Sequence, residues 1–120
     1  MSKTVLLVED YADTRDFMRL MLETFGYNVV EAETGLQAIE QAQTAHPNLI
    51  FMDVSLPELD GLSAARKIRQ TPALAETPII AVTAYASQIT AEALAAGCNS
   101  VVSKPVNIEA LKSVLNEYLM

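Results

Sequence analysis

Five short runs rich in β-branched residues recur along the chain, at Thr4 to Val8, Asn28 to Ala32, Leu49 to Met52, Pro78 to Val82 and Val101 to Ser103, and each reads as a strand. The first, third and fourth are almost uninterrupted apolar residues, the pattern of strands covered on both faces. Between the runs the spacing becomes helical. Met18, Met21, Leu22 and Phe25 fall at i, i+3, i+4 and i+7, and Gly26 follows where a helix should end. That stripe predicts core packing for the methionines rather than a ligand role. Leu36 and Ile39 mark a second helix, Leu62, Ala65 and Ile68 a third, and Ile89 and Ala93, closed by Gly97, a fourth. Ile108, Leu111 and Leu115 mark a fifth, with Asn107 as its N-cap. Strand and helix therefore alternate five times, which predicts an α/β fold with a parallel sheet, without linker or composition shift between them.

The 120 residues give room for one domain, 1–120, and not for two. With 51% hydrophobic and 19% charged residues, and no apolar run near the roughly 18 residues of a membrane span, a soluble domain is expected and no membrane association. The opening MSKTVLLVED is too short in its apolar part for a signal peptide, so the expected location is cytoplasmic. The single cysteine, Cys98, agrees with a reducing compartment and reads as a small buried hydrophobe. A net charge of −7 argues against direct binding to nucleic acid, whose phosphates demand clustered Lys and Arg. It is compatible with a cation site.

In parallel sheets of this kind ligands sit beyond the carboxyl ends of the strands. The residues there are Glu9-Asp10 after the first strand, Asp53 after the third, Thr83 after the fourth and Lys104-Pro105 after the fifth. Any one of them alone reads as a cap, a turn former or a solvated charge. Four strand ends carrying such groups point to a site. Carboxylates brought together repel unless a cation relieves them. Magnesium suits the set, because it takes oxygen ligands and keeps several waters, while the His and Cys ligands of zinc are lacking. Lys104 offers a movable positive charge and Thr83 a hydroxyl. Together they make a kit for an aspartate nucleophile attacking phosphorus.

The motifs "VLLVED", "FMDVSLPELDG", "AVTAYA" and "AAGCNSVVSKP", in this order, resemble response-regulator receiver domains of the CheY-like superfamily along essentially the whole chain. The resemblance implies a doubly wound, flavodoxin-like (βα)5 fold with strand order 2-1-3-4-5. It makes Asp53 the acceptor of a phosphoryl group from a phosphohistidine on a histidine kinase or histidine phosphotransfer protein. Asp10 and Asp53 would hold magnesium directly, Glu9 through water, and the backbone carbonyl of Ser55 would complete the protein ligands. Thr83 and Lys104 would bind phosphoryl oxygens, and the Lys104-Pro105 bond would be cis. Such a domain is a signalling protein of a two-component system or phosphorelay rather than an enzyme: it catalyses only its own phosphorylation and dephosphorylation. A standalone receiver would then switch a downstream protein through its fourth and fifth helices.

Two positions depart from or embellish the pattern. Val101 stands where receivers commonly carry Tyr or Phe, and Tyr85 occupies a position that in receivers adjoins the phosphorylation site. For Tyr85, packing on the fourth helix is an equal expectation. Asp13 and Asp16 read as first-turn acids of the first helix, His46 as a residue at the end of the second, Gly61 as a turn residue, and Glu58 and Asp60 as solvated loop charges. Two other classes fit less well. A phosphatase of the haloacid dehalogenase type would carry a second acid two residues after the nucleophile, where Ser55 stands. A nucleotide or flavin binder would need a glycine-rich phosphate loop, which Gly26, Gly35, Gly61 and Gly97 cannot form.

Overall fold

The computed structural model describes residues 2–120. Five strands, β1 (Thr4–Val8), β2 (Asn28–Ala32), β3 (Leu49–Asp53), β4 (Ile79–Thr83) and β5 (Ser100–Ser103), alternate with α1 (Ala12–Thr24), α2 (Gly35–Ala45), α3 (Gly61–Arg69), α4 (Ala86–Ala95) and α5 (Ile108–Leu119). A single 3-10 turn, Pro72–Leu74, separates α3 from β4. All four pairings are parallel, in the order β2-β1-β3-β4-β5. The chain reverses its direction of travel across the sheet between β1 and β3, and that reversal opens the crevice where such sheets hold ligands.

Side chains that alternate along each strand sort into two cores. Val5 and Leu7, Leu49 and Phe51, and Ile80 and Val82 pack against α1 and α5 through Met18, Leu22, Leu111 and Leu115. Leu6 and Val8, Ile50 and Met52, and Ile79 and Ala81 face α2, α3 and α4 through Ala38, Ala42, Ala65, Ile68 and Ala93. The strands read as continuous apolar runs because both faces are covered. Two expected helix markers fail: Leu36 and Ile108 are exposed. In the alanine-rich second layer Ala38 and Ala42 do the packing that Leu36 was expected to share, and in α5 Leu111, Val114 and Leu115 face the core instead of Ile108.

Strand limits shift by one residue from the sequence reading. β3 and β4 run on through Asp53 and Thr83, and β5 begins at Ser100, because the ladder continues to their ends. Val54 N–H donates to the Val82 carbonyl at 3.1 Å and Lys104 N–H to the Thr83 carbonyl at 2.9 Å. Asp53 and Thr83 therefore sit on strand termini, and Glu9, Asp10 and Lys104 just beyond them. Helix ends follow local chemistry. Gly26 and Gly97 have positive φ of 94° and 102° just past α1 and α4. His46 closes α2 in a left-handed conformation. Asn107 caps α5 by accepting from Ala110 N–H at 2.8 Å.

Two loop assignments are corrected. Asp60 is not a free loop charge: it is the N-cap of α3, its Oδ1 accepting from Ser63 N–H at 3.0 Å and its Oδ2 from the Ser63 hydroxyl at 2.8 Å. Gly61 is not a turn residue but the first residue of α3. A Cβ there would overlap the Asp53 carbonyl oxygen and stand 2.9 Å from Val54 Cα, so the helix can approach the end of β3 only without a side chain.

Candidate functional site

Glu9 and Asp10 directly follow β1, and Asp53 closes β3, the neighbouring strand. Adjacency in the sheet therefore brings one carboxylate oxygen of each within 4.8 Å of the others. Glu9 and Asp53 are each 2% exposed, whereas Asp10 is open to solvent. From the far side of β4, Lys104 reaches in with Nζ 3.1 Å from Asp53 Oδ2 and 3.2 Å from Glu9 Oε1. The Lys104–Pro105 peptide is cis. Thr83, also buried, stands at the end of β4 between them, and its Oγ1 accepts from Tyr85 N–H at 3.1 Å.

Backbone donors hold the carboxylates in place. Ser55 N–H donates to Asp53 Oδ1 at 3.1 Å and Tyr11 N–H to Glu9 Oε2 at 3.2 Å. The other Asp53 oxygen, Oδ2, is buried and accepts no hydrogen bond. The Lys104 ammonium, 3.1 Å away, is its nearest counter-charge and pairs with it. Buried side-chain oxygens are seldom left this way, and one that is so left marks a group with a task beyond the fold.

The electrostatics agree. Burial, and then the adjoining Asp53 carboxyl, push Glu9 above its ordinary 4.5. For Lys104 burial works against the charged form, but Asp53 and Glu9 outweigh it and hold the ammonium above its ordinary 10.5. Three carboxylates face one ammonium, which leaves negative charge uncompensated. The donor set is all oxygen, with one buried oxygen free of hydrogen bonds and one acid open to water. A hard divalent cation such as magnesium fits it.

Not every residue singled out in the sequence enters this cluster. Tyr85 is 62% exposed at the N-cap position of α4, and its connection to the site is the bond from its N–H to Thr83 rather than packing on α4. Val101 is half-buried on β5 opposite Ala81 and packs into the α2–α4 side of the core. Asp13 lies in the first turn of α1, and Asp16 pairs with Arg19 at 2.9 Å. Cys98 is buried and its thiol is pushed up to about 11, chiefly by burial, so it is no nucleophile. Sequence reasoning missed the close approach of Gly61, the cap at Asp60 and the grip of Arg15 on Glu9. The cap had a readable signal, Asp60 three residues before Ser63 at a helix start, whereas the other two depend on how a helix packs against the strand before it. Beside the acids a cleft of about 530 Å3 opens between α1 and the β5–α5 turn, lined by Asp13, Phe17, Met18, Val82, Lys104 and Pro105 among others.

Known proteins share this arrangement. The family described as the response regulator receiver domain matches residues 5–116. The polar-differentiation response regulator DivK of Brucella ovis is 34% identical over 120 residues, covering 99% of this chain and 98% of its own length. The receiver domain of the sensor histidine kinase PA1611 of Pseudomonas aeruginosa, which has a magnesium ion coordinated in its active-site cleft, superposes with a TM-score of 0.91 at 37% identity over 98% of both chains. A chain from the co-crystal of the Saccharomyces cerevisiae histidine phosphotransfer protein Ypd1 with the receiver domain of Ssk1 superposes at 0.90 with 31% identity, covering 98% of this chain and 88% of its own. With the acid cluster, the lysine and the strand order all in agreement, the chain belongs to the response regulator receiver family, the phosphoacceptor domains of two-component signalling.

Proposed function

We propose that residues 1–120 act as one receiver domain in which Asp53 takes a phosphoryl group from a phosphohistidine of a histidine kinase or histidine phosphotransfer protein. The observation that carries this reading is Asp53 Oδ2: buried, without a hydrogen bond, at the end of a rigid strand and 3.1 Å from Lys104. An Asp53 oxygen attacks phosphorus, the new O–P bond forms as the P–N bond breaks, and the electron pair stays on the imidazole nitrogen. Lys104 neutralises oxygens of the transferring group, and the Thr83 hydroxyl turns to donate to one of them. Asp10, Asp53 and the Ser55 carbonyl would hold magnesium, with Glu9 acting through water. The bound cation supplies charge neutralisation and orientation of the phosphoryl oxygens. The cleft beside Lys104, with exposed Phe17 on its rim, offers the donor protein an apolar approach.

The reading of the output follows from Thr83. Its Oγ1 is tied to Tyr85 N–H, so recruiting the hydroxyl to a phosphoryl oxygen loosens the start of α4. A downstream protein reading α4 and α5 would sense that change. Val101, with its restricted χ1 and no polar tip, cannot rotate as Tyr does, so the signal travels through the β4–α4 turn. The free thiol of Cys98 fits a cytoplasmic location, and among the described residues no helix is long and apolar enough to cross a membrane. The acidic net charge fits a protein partner rather than nucleic acid.

The test is intact-mass analysis after incubation with acetyl phosphate and magnesium. One phosphoryl group is expected on the native chain and none on Asp53→Asn. The same modification in the mutant would remove Asp53 as acceptor. On the same reading, Tyr85→Ala should alter the half-life of the phosphorylated form by changing water access, while Val101→Tyr leaves the phosphorylation rate unchanged. A tenfold slower transfer in Val101→Tyr, about 1.4 kcal/mol of barrier, would couple position 101 to the chemistry and defeat this division of labour.

A further inference from the structure

The backbone of Glu9 is gripped from both sides. Its N–H donates to the Ala32 carbonyl at the end of β2 at 3.0 Å, and its carbonyl accepts from Arg15 Nη1 at 2.9 Å. Arg15 stands near the start of α1 with its side chain only 12% exposed. Its Nε donates to Glu31 Oε2 at 3.2 Å, and its Nη1 lies 3.5 Å from Glu33 Oε1. Glu31 is fixed in turn, because its other oxygen accepts from Arg19 Nη1 at 2.7 Å. One planar guanidinium thus joins the end of β1, the first part of α1 and the acids of the β2 end. Its fixed fork lets it serve several oxygens at once, which an ammonium on a flexible stem does poorly.

The carbonyl that Arg15 holds belongs to the peptide between Glu9 and Asp10. That unit is planar, so holding its carbonyl sets both α-carbons; with Glu9 N–H also held, both peptide units around Glu9 are fixed, and with them the direction of its side chain and the point from which Asp10 departs. An ion pair that merely tied α1 to β2 would have no need of this contact, and Arg19 makes such a pair with Glu31 without touching Glu9. We infer that Arg15 is a positioning residue for divalent-cation binding, holding the Glu9–Asp10 peptide so that both carboxylates face Asp53. The inference rests on the reading of Glu9, Asp10 and Asp53 as the cation site.

Titration calorimetry with magnesium chloride on the full chain tests it, using Arg15→Met, Arg15→Lys, Arg19→Met and Asp10→Ala beside the native protein. Methionine keeps an apolar stem of similar length and removes every donor. Arg15→Met should raise the magnesium Kd roughly tenfold, the lower end of what loss of a partner behind a metal ligand costs. The magnesium concentration that half-saturates phosphorylation by acetyl phosphate should rise in step. Arg15→Lys should move both in the same direction by a smaller factor, and it carries the test if the methionine variant does not fold. Arg19→Met, which leaves the Arg15 contact with the Glu9 carbonyl in place, should change the Kd by a clearly smaller factor than Arg15→Met. Native affinity in both Arg15 variants, or an equal loss in Arg19→Met, would overturn the inference and leave the cation site standing. Absence of binding by the native chain, or binding that survives Asp10→Ala, would instead sink the cation site and this inference with it.

Discussion

Gly61 concerns the site more than its place at the start of a helix suggests. The missing Cβ leaves room for the Asp53 carbonyl and Val54 Cα, and Gly61 N–H donates to the Val54 carbonyl at 3.0 Å. Both obstacles are backbone atoms, so no side-chain rotation can relieve the clash. Gly61→Ala should therefore destabilise the protein by about 1–3 kcal/mol, although alanine is the better helix former. Because the displaced atoms belong to Asp53 and its neighbour, the same variant should also phosphorylate more slowly. Thermal unfolding together with acetyl phosphate kinetics checks this, and an unchanged melting temperature would show that α3 can move away at no cost. Arg15 and Thr83 act at the same scale: each holds a backbone group, the Glu9 carbonyl or the Tyr85 N–H, beside the acid cluster.

At the scale of elements, the β3–α3 connection is held by a cap. The Ser63 backbone N–H, against the opposing effect of burial and with help from the Ser63 hydroxyl, keeps the Asp60 carboxyl below its ordinary 3.8. The sign follows directly. A folded pKa below the unfolded one gives stability that is present above the unfolded value and lost as pH falls through the folded one. Asp60→Ala should cost about 0.5–2 kcal/mol at neutral pH, in the range of lost N-caps, and the difference from native should shrink below about pH 4. Denaturant titrations at pH 7 and pH 3 measure it; a difference that grows on acidification would reject the cap. The strands show the same economy of means. Asp53 and Thr83 are ladder residues, in register with Val82 and Ser103, so both groups are held by the sheet itself.

For the whole molecule the decisive quantity is uncompensated charge. The acid cluster repels itself in the free protein, and a cation that binds only the folded form stabilises that form by mass action. Magnesium at ten times its dissociation constant should add about 1.4 kcal/mol, read as a rise of several degrees in melting temperature. Asp10→Ala should remove most of that gain while leaving the fold intact, because Asp10 is the exposed member of the cluster. A shift that persists in the variant would mean that the cation binds elsewhere. The two-sided core makes this experiment readable. Twin apolar layers hold the sheet independently of its carboxyl edge, so charge at that edge can be altered without dissolving the structure.

Much of this protein is legible without coordinates because the controlling physics is local. Runs such as Leu49 to Met52 declare a doubly covered strand, the stripe from Met18 to Leu22 declares a helix face, and Gly26, Gly97 and Asn107 declare helix ends through backbone preference alone. The acids, hydroxyl and lysine at four strand ends follow from the same reading, since a parallel sheet must present those ends on one edge. Whether Leu36 or Ala38 faces the core is not decided locally: both suit a helix, and the docking of α2 on the sheet turns Ala38 inward and Leu36 outward. Only the tertiary structure determined that Asp53 Oδ2 lies buried without a hydrogen bond, that α3 closes onto the end of β3 at Gly61, and that Arg15 spans from α1 to Glu31 and the Glu9 carbonyl. Each of these joins residues on different elements, and such contacts depend on the packing angles of whole elements, which no local pattern encodes.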